Sequence, residues 1–202
     1  MFGEITRDEV FRLETRRLWL RWPRLADAPA ITDFACRIEV AKTTANIPHP
    51  YPEGAAADFI AKAAAANAAG SGLFLVMTEK YGARPPVGLI SINDRIPNRG
   101  WLAYLVTPSH WGKGYATEAV RAIVDATFQI TSAPAVATSV FVGNDASTRV
   151  LIKSGFASLG QDQQNAPARG GFVTVERFSL SRTLWAGENS SFEARKLAAC
   201  CA

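Results

Sequence analysis

The sequence has little of what marks membrane, secreted or nucleic-acid-binding proteins. No apolar run among the 202 residues approaches the roughly 18 residues that a membrane span needs. Residues 1–8 are polar, unlike a secretory signal. The three cysteines are too few for a disulfide framework, so we expect a reducing, cytoplasmic location. The net charge of +4 is small and the basic residues are scattered, which argues against nucleic-acid binding.

The composition that remains is typical of a folded protein, with 48% hydrophobic and 20% charged residues. This length suits one domain with a full core. We predict the domain over residues 14–185, with residues 1–13 and 187–202 as terminal extensions. Cys36 lies in an apolar helical pattern, so we predict it in the core rather than as a nucleophile.

Hydrophobic periodicity predicts a single α/β domain. The order is strand, helix, helix, three strands, helix, strand, helix and two strands. Glycine and proline residues mark the turns between these elements. The predicted helices cover residues 25–37, 55–69, 113–128 and 145–154. The predicted strands cover residues 17–21, 73–78, 87–92, 101–106, 136–142, 156–159 and 172–180, with a polar loop at 161–171.

The most informative segment is 105–119, LVTPSHWGKGYATEA, where a predicted strand leads through a glycine-spaced loop into an amphipathic helix. The first amides of a helix lack helical partners and lie at the positive end of its dipole, which suits a phosphate. Gly112 and Gly114 lack Cβ atoms, so a diphosphate could approach the backbone closely. Lys113 lies between the glycines, unlike in a P-loop, and Thr117 replaces the third glycine of a dinucleotide fingerprint. A flexible turn is the alternative interpretation of this fragment.

Three segments together resemble the GNAT acetyltransferases. Residues 111–116, WGKGYA, are similar to the coenzyme A motif of that family, Q/R-x-x-G-x-G/A, with Trp111 in place of Gln or Arg. That departure, the run NDASTRVLIKSGF at 144–156 and ETRRLWLR at 14–21 resemble the branch of RimJ and RimL, the ribosomal-protein N-terminal acetyltransferases. The resemblance implies the GNAT fold. That fold is one mixed, largely antiparallel sheet of about seven strands, flanked by four helices and splayed between strands 101–106 and 136–142.

The resemblance also implies acetyl-CoA as cosubstrate, with no metal. The pantetheine arm would follow the backbone near Leu105 and Val106, where one amide could stabilise the developing oxyanion. Asn144 would cap a short helix and bind the pantetheine arm. Ser147 is either a polar residue of the first helical turn or the proton donor to the departing thiolate. The residues implied to hold the pyrophosphate through their amides are Gly112, Lys113, Gly114, Tyr115 and Ala116.

Several charged or titratable side chains near this motif also bear on the prediction of the site. Glu118 is predicted to form a solvated pair with Arg121 on the helix face. Arg149 and Lys153 share one face of the short helix and either meet the 3′-phosphate or are solvated. His110 is predicted as a surface turn residue.

The sequence shows no evident strong general base, which bears on the acceptor. An α-amino group has a pKa of about 7.8, so about a tenth is neutral at pH 7, whereas almost none of a lysine amine is. The resemblance places His49 and Tyr51 at the mouth of the acceptor cleft, with His49 as a lining residue, as a base or as neither.

The sequence therefore predicts an acetyl-CoA-dependent N-acetyltransferase. The α-amine of a protein N-terminus is expected to attack the thioester directly. One alternative is an acetyltransferase for a small amine such as an amino acid, polyamine or antibiotic. The other is a non-catalytic acyl-CoA-binding module. The expected partners are acetyl-CoA and the amine acceptor, with no nucleic acid and no membrane. A homodimer is one option for the oligomeric state, which the sequence leaves open.

Overall fold

A computed structural model describes residues 1–82, 84–96 and 99–187. Its eight strands are β1 (Arg12–Glu14), β2 (Leu18–Arg21), β3 (Gly72–Glu79), β4 (Pro86–Ile96), β5 (Arg99–Val106), β6 (Ala135–Phe141), β7 (Ala157–Ala166) and β8 (Gly171–Ser181). They form one sheet in the order β1-β2-β3-β4-β5-β6-β8-β7, in which only β5 and β6 pair in parallel. This confirms the predicted α/β fold and its mixed, largely antiparallel sheet. The short strand β1 is the addition to the predicted seven.

Five α-helices precede the end of the sheet: α1 (Ala28–Ala35), α2 (Ile38–Ala41), α3 (Ala55–Ala69), α4 (Tyr115–Ile130) and α5 (Asp145–Lys153). Residues 182–187, after β8, are also helical. The predicted helix over 25–37 begins as a 3-10 turn and ends at Ala35, and α2 follows as a separate turn. Cys36 is therefore the exposed residue after α1, and its predicted place in the core is wrong. The apolar pattern of α1 is buried instead through Ile31, Phe34 and Ala35.

The sheet has a hydrophobic core on each face. On one face, α4 packs through the predicted apolar stripe, including Val120 and Ile123, against side chains of the central strands. On the other face, α1 and α3 pack over Val76 of β3. Phe2 is buried in the first of these cores, and its amide donates to the carbonyl of Gly70 at 2.9 Å. Because the sheet is covered on both sides, the sequence of β3 is almost continuously apolar and does not alternate between apolar and polar residues.

The carboxyl-terminal hairpin differs from its prediction. The segment 161–171 was predicted as a polar loop, but β7 continues to Ala166 and pairs with β8 along this length. Nearly all of β7 is exposed, because it is the edge strand and its outer residues need no apolar alternation. Polar composition alone therefore gave the wrong prediction here. No helix in the described part of the chain is long and apolar enough to cross a membrane.

The sheet opens between its two parallel strands. Strands β5 and β6 pair only at Gly100 with Val136 and at Trp101 with Ala137. Just beyond these pairs, the hydroxyl of Thr138 donates to the carbonyl of Leu102 at 2.8 Å in place of a backbone bond. From that point towards the end of β5 the strands are not paired, as the predicted splay requires. The gap lies directly beside the glycine loop that follows β5.

Candidate functional site

The loop between β5 and α4 borders a cavity of about 350 Å³, here called the glycine-loop cavity. Gly112 and Gly114 have φ values of +74° and +79°, a left-handed conformation that favours glycine. A Cβ atom at Gly112 would meet no other atom within 4 Å, so the surface above this residue is open. Gly114 is the N-cap of the 16-residue helix α4, whose first amides have no helical partner. The loop can therefore present amides and a positive dipole to an anion.

Two side chains hold the glycine loop in place. The indole Nε1 of Trp111 donates to the carbonyl of Val106 at 2.6 Å, which ties the loop to the end of β5. Arg17 donates from Nη1 to the carbonyl of Lys113 at 2.8 Å and from Nε to Glu118 at 2.7 Å. The loop is thus anchored both to its own strand and, through Arg17, to the turn before β2. This anchoring prepares the loop for a ligand before the ligand arrives.

Glu118 is not half of the solvated pair that was predicted. Its side chain is 15% exposed and accepts hydrogen bonds from the Thr15 hydroxyl and from both the backbone and the side chain of Arg17. Burial raises the pKa of Glu118, but the hydrogen bonds from Thr15 and Arg17 outweigh burial and leave the pKa below its ordinary value. Arg121 instead donates to the carbonyl of Lys153, which links α4 to the end of α5. The prediction failed because the partner of Glu118 lies about a hundred residues away in the chain.

Helix α5 presents the two polar residues singled out from the sequence. The side chain of Asn144 caps the helix by accepting from the amide of Ser147 at 3.2 Å, as predicted. Phe156 donates to the carbonyl of Leu151, and Gly155 donates to that of Ile152, so the helix ends in a Schellman motif. The N-cap and the C-terminal closure together define α5 as a helix of nine residues beside the gap in the sheet.

A second cavity of about 520 Å³ lies on the α3 face of the sheet and is here called the α3-side cavity. It is bordered by the segment 43–48, by the first turns of α3 and by side chains of strands β3 to β6. The hairpin formed by β7 and β8 also reaches it. Gln164 lines it and accepts a hydrogen bond from Ser139. The cavity therefore collects side chains from segments that lie far apart in the sequence.

The two cavities meet at five residues that line both: Thr43, Tyr104, Leu105, Asn144 and Ser147. The hydroxyls of Tyr104 and Ser147 lie 3.0 Å apart at this junction. Burial raises the pKa of Tyr104 to about 12, against the opposing effect of the hydrogen bond with Ser147. Tyr104 is therefore a protonated donor at neutral pH. Tyr104 could not be predicted from the sequence, because a tyrosine in an apolar strand gives no signal until α5 is placed beside it.

The structure brings most of the predicted site residues together. Tyr51 lines the α3-side cavity, whereas His49 is exposed and lines neither cavity. Lys113 does not line the glycine-loop cavity, since its side chain is exposed and its carbonyl is bound by Arg17. The predicted residues that line the glycine-loop cavity are Leu105, Val106, Gly112, Gly114, Tyr115, Ala116, Asn144, Ser147, Arg149 and Lys153.

His110 also lines the glycine-loop cavity, half-buried rather than on the open surface as predicted. Its ring stacks on Tyr115 at 5.9 Å between centroids. Burial, and to a smaller degree Lys113, lowers the pKa of His110 below 6.5, while Glu79 opposes this shift. Tyr115 in turn donates from its hydroxyl to Glu79 at 2.5 Å. Within the described residues, no group of three or more His, Cys, Asp or Glu side chains could hold a metal ion.

The similarity of the chain to known proteins defines its class. Residues 17–157 match the family model described as the acetyltransferase (GNAT) domain. The chain therefore belongs to the GNAT acetyltransferase family, as its motifs predicted. It is 34% identical over 62 residues to the uncharacterized N-acetyltransferase YoaA of Bacillus subtilis (strain 168), a match that covers 31% of this chain and 35% of that relative. The chain thus spans about a third of that curated relative's length.

Solved structures show the same fold at low sequence identity. The ribosomal-protein-S5-alanine acetyltransferase of Vibrio fischeri has a TM-score of 0.72 and 19% identity, covering 85% of this chain and 97% of that one. The microcin C7 self-immunity acetyltransferase MccE, solved with acetyl-CoA and AMP, has a TM-score of 0.71 and 18% identity, covering 82% and 93%. At these identities the likeness shows the fold alone. One neighbour is named for a ribosomal-protein substrate and the other for self-immunity to microcin C7, so the fold does not select an acceptor.

Proposed function

We propose that this chain transfers the acetyl group of acetyl-CoA to an amine, and that the acceptor is the α-amine of a protein N-terminus, as in the RimJ and RimL branch. The observation that carries the proposal is the junction, where an anion-binding loop cavity meets a second cavity beside two hydroxyl groups. One cavity suits the cosubstrate and the other suits the acceptor. Such an arrangement brings two reactants to one point, which lowers the entropic part of the barrier.

The residues of the glycine-loop cavity fit acetyl-CoA. The positive-φ glycines and the start of α4 provide unpaired amides for the pyrophosphate. The part of β5 that does not pair with β6, ending at Leu105 and Val106, lies where a pantetheine arm could take up backbone hydrogen bonds. Arg149 and Lys153 line the same cavity and supply positive charge for further phosphate. The bound thioester would supply the acetyl group.

The hydroxyls at the junction can manage the proton that the reaction must return to the sulfur. When Tyr104 donates to the Oγ of Ser147, the proton of Ser147 is free to point into the cavity. The amine forms its bond to the carbonyl carbon, the C–S bond breaks, and Ser147 protonates the departing thiolate. The proton that the amine loses passes through water and restores the hydroxyl of Ser147. No covalent intermediate with the protein is needed.

A thiol-release assay tests the proposal with acetyl-CoA, peptides with free or blocked N-termini, and a panel of small amines. We expect turnover with free N-termini, little with blocked peptides and little with small amines. Turnover on small amines alone would replace the acceptor with a small-molecule amine. Binding of acetyl-CoA without thiol release from any acceptor would identify an acyl-CoA-binding module instead.

A further inference from the structure

The wall of the α3-side cavity carries aromatic side chains from four separate segments: Tyr51, Phe59, Phe74 and Trp101. Each of them is only partly buried. The aliphatic side chains of Ile47, Leu89 and Leu105 line the same cavity and are also partly buried. Apolar surface that remains exposed along a concave wall is surface that an apolar ligand group can cover.

The charges on this wall are few and balanced. Among the described residues that line the cavity, Asp58 alone has a carboxylate and Lys62 alone has a cationic side chain. Both are exposed side chains of α3. A polycation bound here would leave ammonium groups without partners, and burying an unpaired charge is costly. The cavity therefore disfavours a polyamine or an aminoglycoside as acceptor.

We infer that the acceptor carries an apolar group, preferably an aromatic one, next to its reactive amine. The inference rests on the proposed function, since it takes the junction at Ser147 as the point of acetyl transfer. The amine must reach this junction, and the α3-side cavity begins there. The group attached to the amine then falls against the aromatic wall. For a protein N-terminus, this means a first residue such as Phe, Leu or Met.

The test compares kcat/KM for peptides that differ only in their first residue. We expect Phe and Leu to exceed Ala and Ser by about 10-fold or more, the discrimination typical of a hydrophobic pocket, with Asp and Lys slowest. Equal rates, or a preference for Ala, Ser or Asp, would overturn the inference and leave the proposed function intact. Phenethylamine and spermidine are run in parallel as free amines.

The free amines separate the inference from the proposed function. If all peptides are silent and phenethylamine is faster than spermidine, the peptide acceptor fails and the apolar acceptor is supported. If spermidine is faster, the inference is overturned. No thiol release with any amine would overturn both proposals.

Matched variants locate the effect in the cavity. Phe59→Glu places a carboxylate on the wall, so we expect the ratio of Phe-first to Lys-first turnover to fall by about 10-fold or more. Phe172→Glu makes the same change at a phenylalanine that is 74% exposed and lines neither cavity, and should keep the wild-type ratio. Acetyl-CoA affinity serves as the check on folding. The milder Phe59→Leu should reduce the preference for Phe over Leu as first residue. The inference would be overturned if Phe59→Glu kept the wild-type ratio of Phe-first to Lys-first turnover and Phe59→Leu kept the wild-type preference for Phe over Leu.

Discussion

At the scale of single residues, the pair Tyr104 and Ser147 joins two elements that the sequence separates by 43 positions. Tyr104 also lies within hydrogen-bond distance of the Ser147 carbonyl, at 3.2 Å. Because its pKa is raised to about 12 by burial, Tyr104 can orient the serine hydroxyl without giving up its own proton. We therefore propose that Ser147 transfers the proton and that Tyr104 positions the Ser147 hydroxyl.

We predict that Ser147→Ala lowers kcat by about 10²-fold or more while acetyl-CoA affinity changes little. A donor needed only as charge develops on sulfur stabilises the transition state and not the bound ground state. Steady-state kinetics and calorimetric titration separate these two quantities. Thr148→Ala is the control, since Thr148 is the next residue of α5 and lines neither cavity. Equal kcat in wild type and Ser147→Ala would leave Ser147 with its structural role alone.

Glu118 gives a prediction about stability and pH. Its pKa is lowered below 4.5 in the folded protein, because the hydrogen bonds from Thr15 and Arg17 outweigh burial. A lowered folded pKa means that the carboxylate stabilises the fold above its ordinary pKa and loses this effect as pH falls through the folded value. We expect Glu118→Gln to unfold more easily than wild type at pH 7, with the difference shrinking below pH 4.5.

Denaturant unfolding at several pH values measures this difference. Glu14→Gln is the control, since Glu14 pairs with Lys80 but its side chain is 60% exposed. Exposed ion pairs contribute little to stability, so the control should differ less from wild type at every pH. A Glu118→Gln effect that does not vary with pH would contradict the explanation.

The residues that could be predicted from the sequence are those whose surroundings are local. Asn144 caps a helix that starts at the next residue, and Gly112 and Gly114 belong to a motif with a fixed spacing. Tyr104 and the partner of Glu118 could not be predicted, because their contacts depend on how distant segments pair. Local patterns carry cap and turn geometry, while tertiary contacts set the rest.

At the scale of elements, the hairpin of β7 and β8 restrains the segment that borders the α3-side cavity. Arg169, in the 3-10 turn between these strands, donates from Nε to the carbonyl of Thr44 at 3.0 Å and also to that of Ile47. The amide of Ala168 donates to the carbonyl of Ala45 at 3.3 Å. A turn within the segment 161–171, which was predicted as a polar loop between two strands, therefore holds one wall of the cavity.

We predict that Arg169→Ala raises KM for the acceptor several-fold and leaves acetyl-CoA affinity unchanged. The guanidinium satisfies two carbonyls of the 43–48 segment, and losing a charged donor of this kind costs about 1.5–3 kcal/mol per bond at most. The control is Arg177→Ala, an arginine of the same hairpin that pairs with Asp162 at 2.9 Å and lines neither cavity. Acceptor titrations at saturating acetyl-CoA give the result. A loss of acetyl-CoA binding in Arg169→Ala would contradict the assignment of this wall.

The glycine loop between β5 and α4 leads to a prediction about acetyl-CoA binding. Gly114→Glu should abolish acetyl-CoA binding. The residue has φ +79°, and its new carboxylate would lie at the positive end of α4, where it would repel the pyrophosphate. Gly160→Glu is the control, with φ +90° and open space around its Cβ position on the edge strand. Calorimetry measures both affinities, and circular dichroism checks that both variants fold. Unchanged affinity in Gly114→Glu would place the cosubstrate elsewhere.

At the scale of the whole molecule, the gap between β5 and β6 is what lets two cavities on different sides of the chain meet. A continuous sheet would separate the α3 side from the glycine loop. The predicted order of elements implied this gap only through the family resemblance, since no residue pattern marks where parallel strands stop pairing. The five residues at the meeting point offer hydroxyls and an amide, with no carboxylate or imidazole among them.

This composition leads to a prediction for the pH dependence of kcat/KM. With no base at the junction, the rate should rise with pH until the acceptor amine itself is neutral, near pH 7.8 for a typical α-amine. Two acceptors whose pKa values differ by about one unit should shift the rising limb by the same amount. His49→Ala should keep this limb, because His49 is exposed and lines neither cavity.

His110→Gln tests the imidazole that does line the glycine-loop cavity and whose pKa is lowered below 6.5 by burial. A limb below pH 6.5 that ignores the acceptor and disappears in His110→Gln would make His110 the base. A limb that follows the acceptor in all three proteins means that the substrate amine supplies the only titration on the rising side.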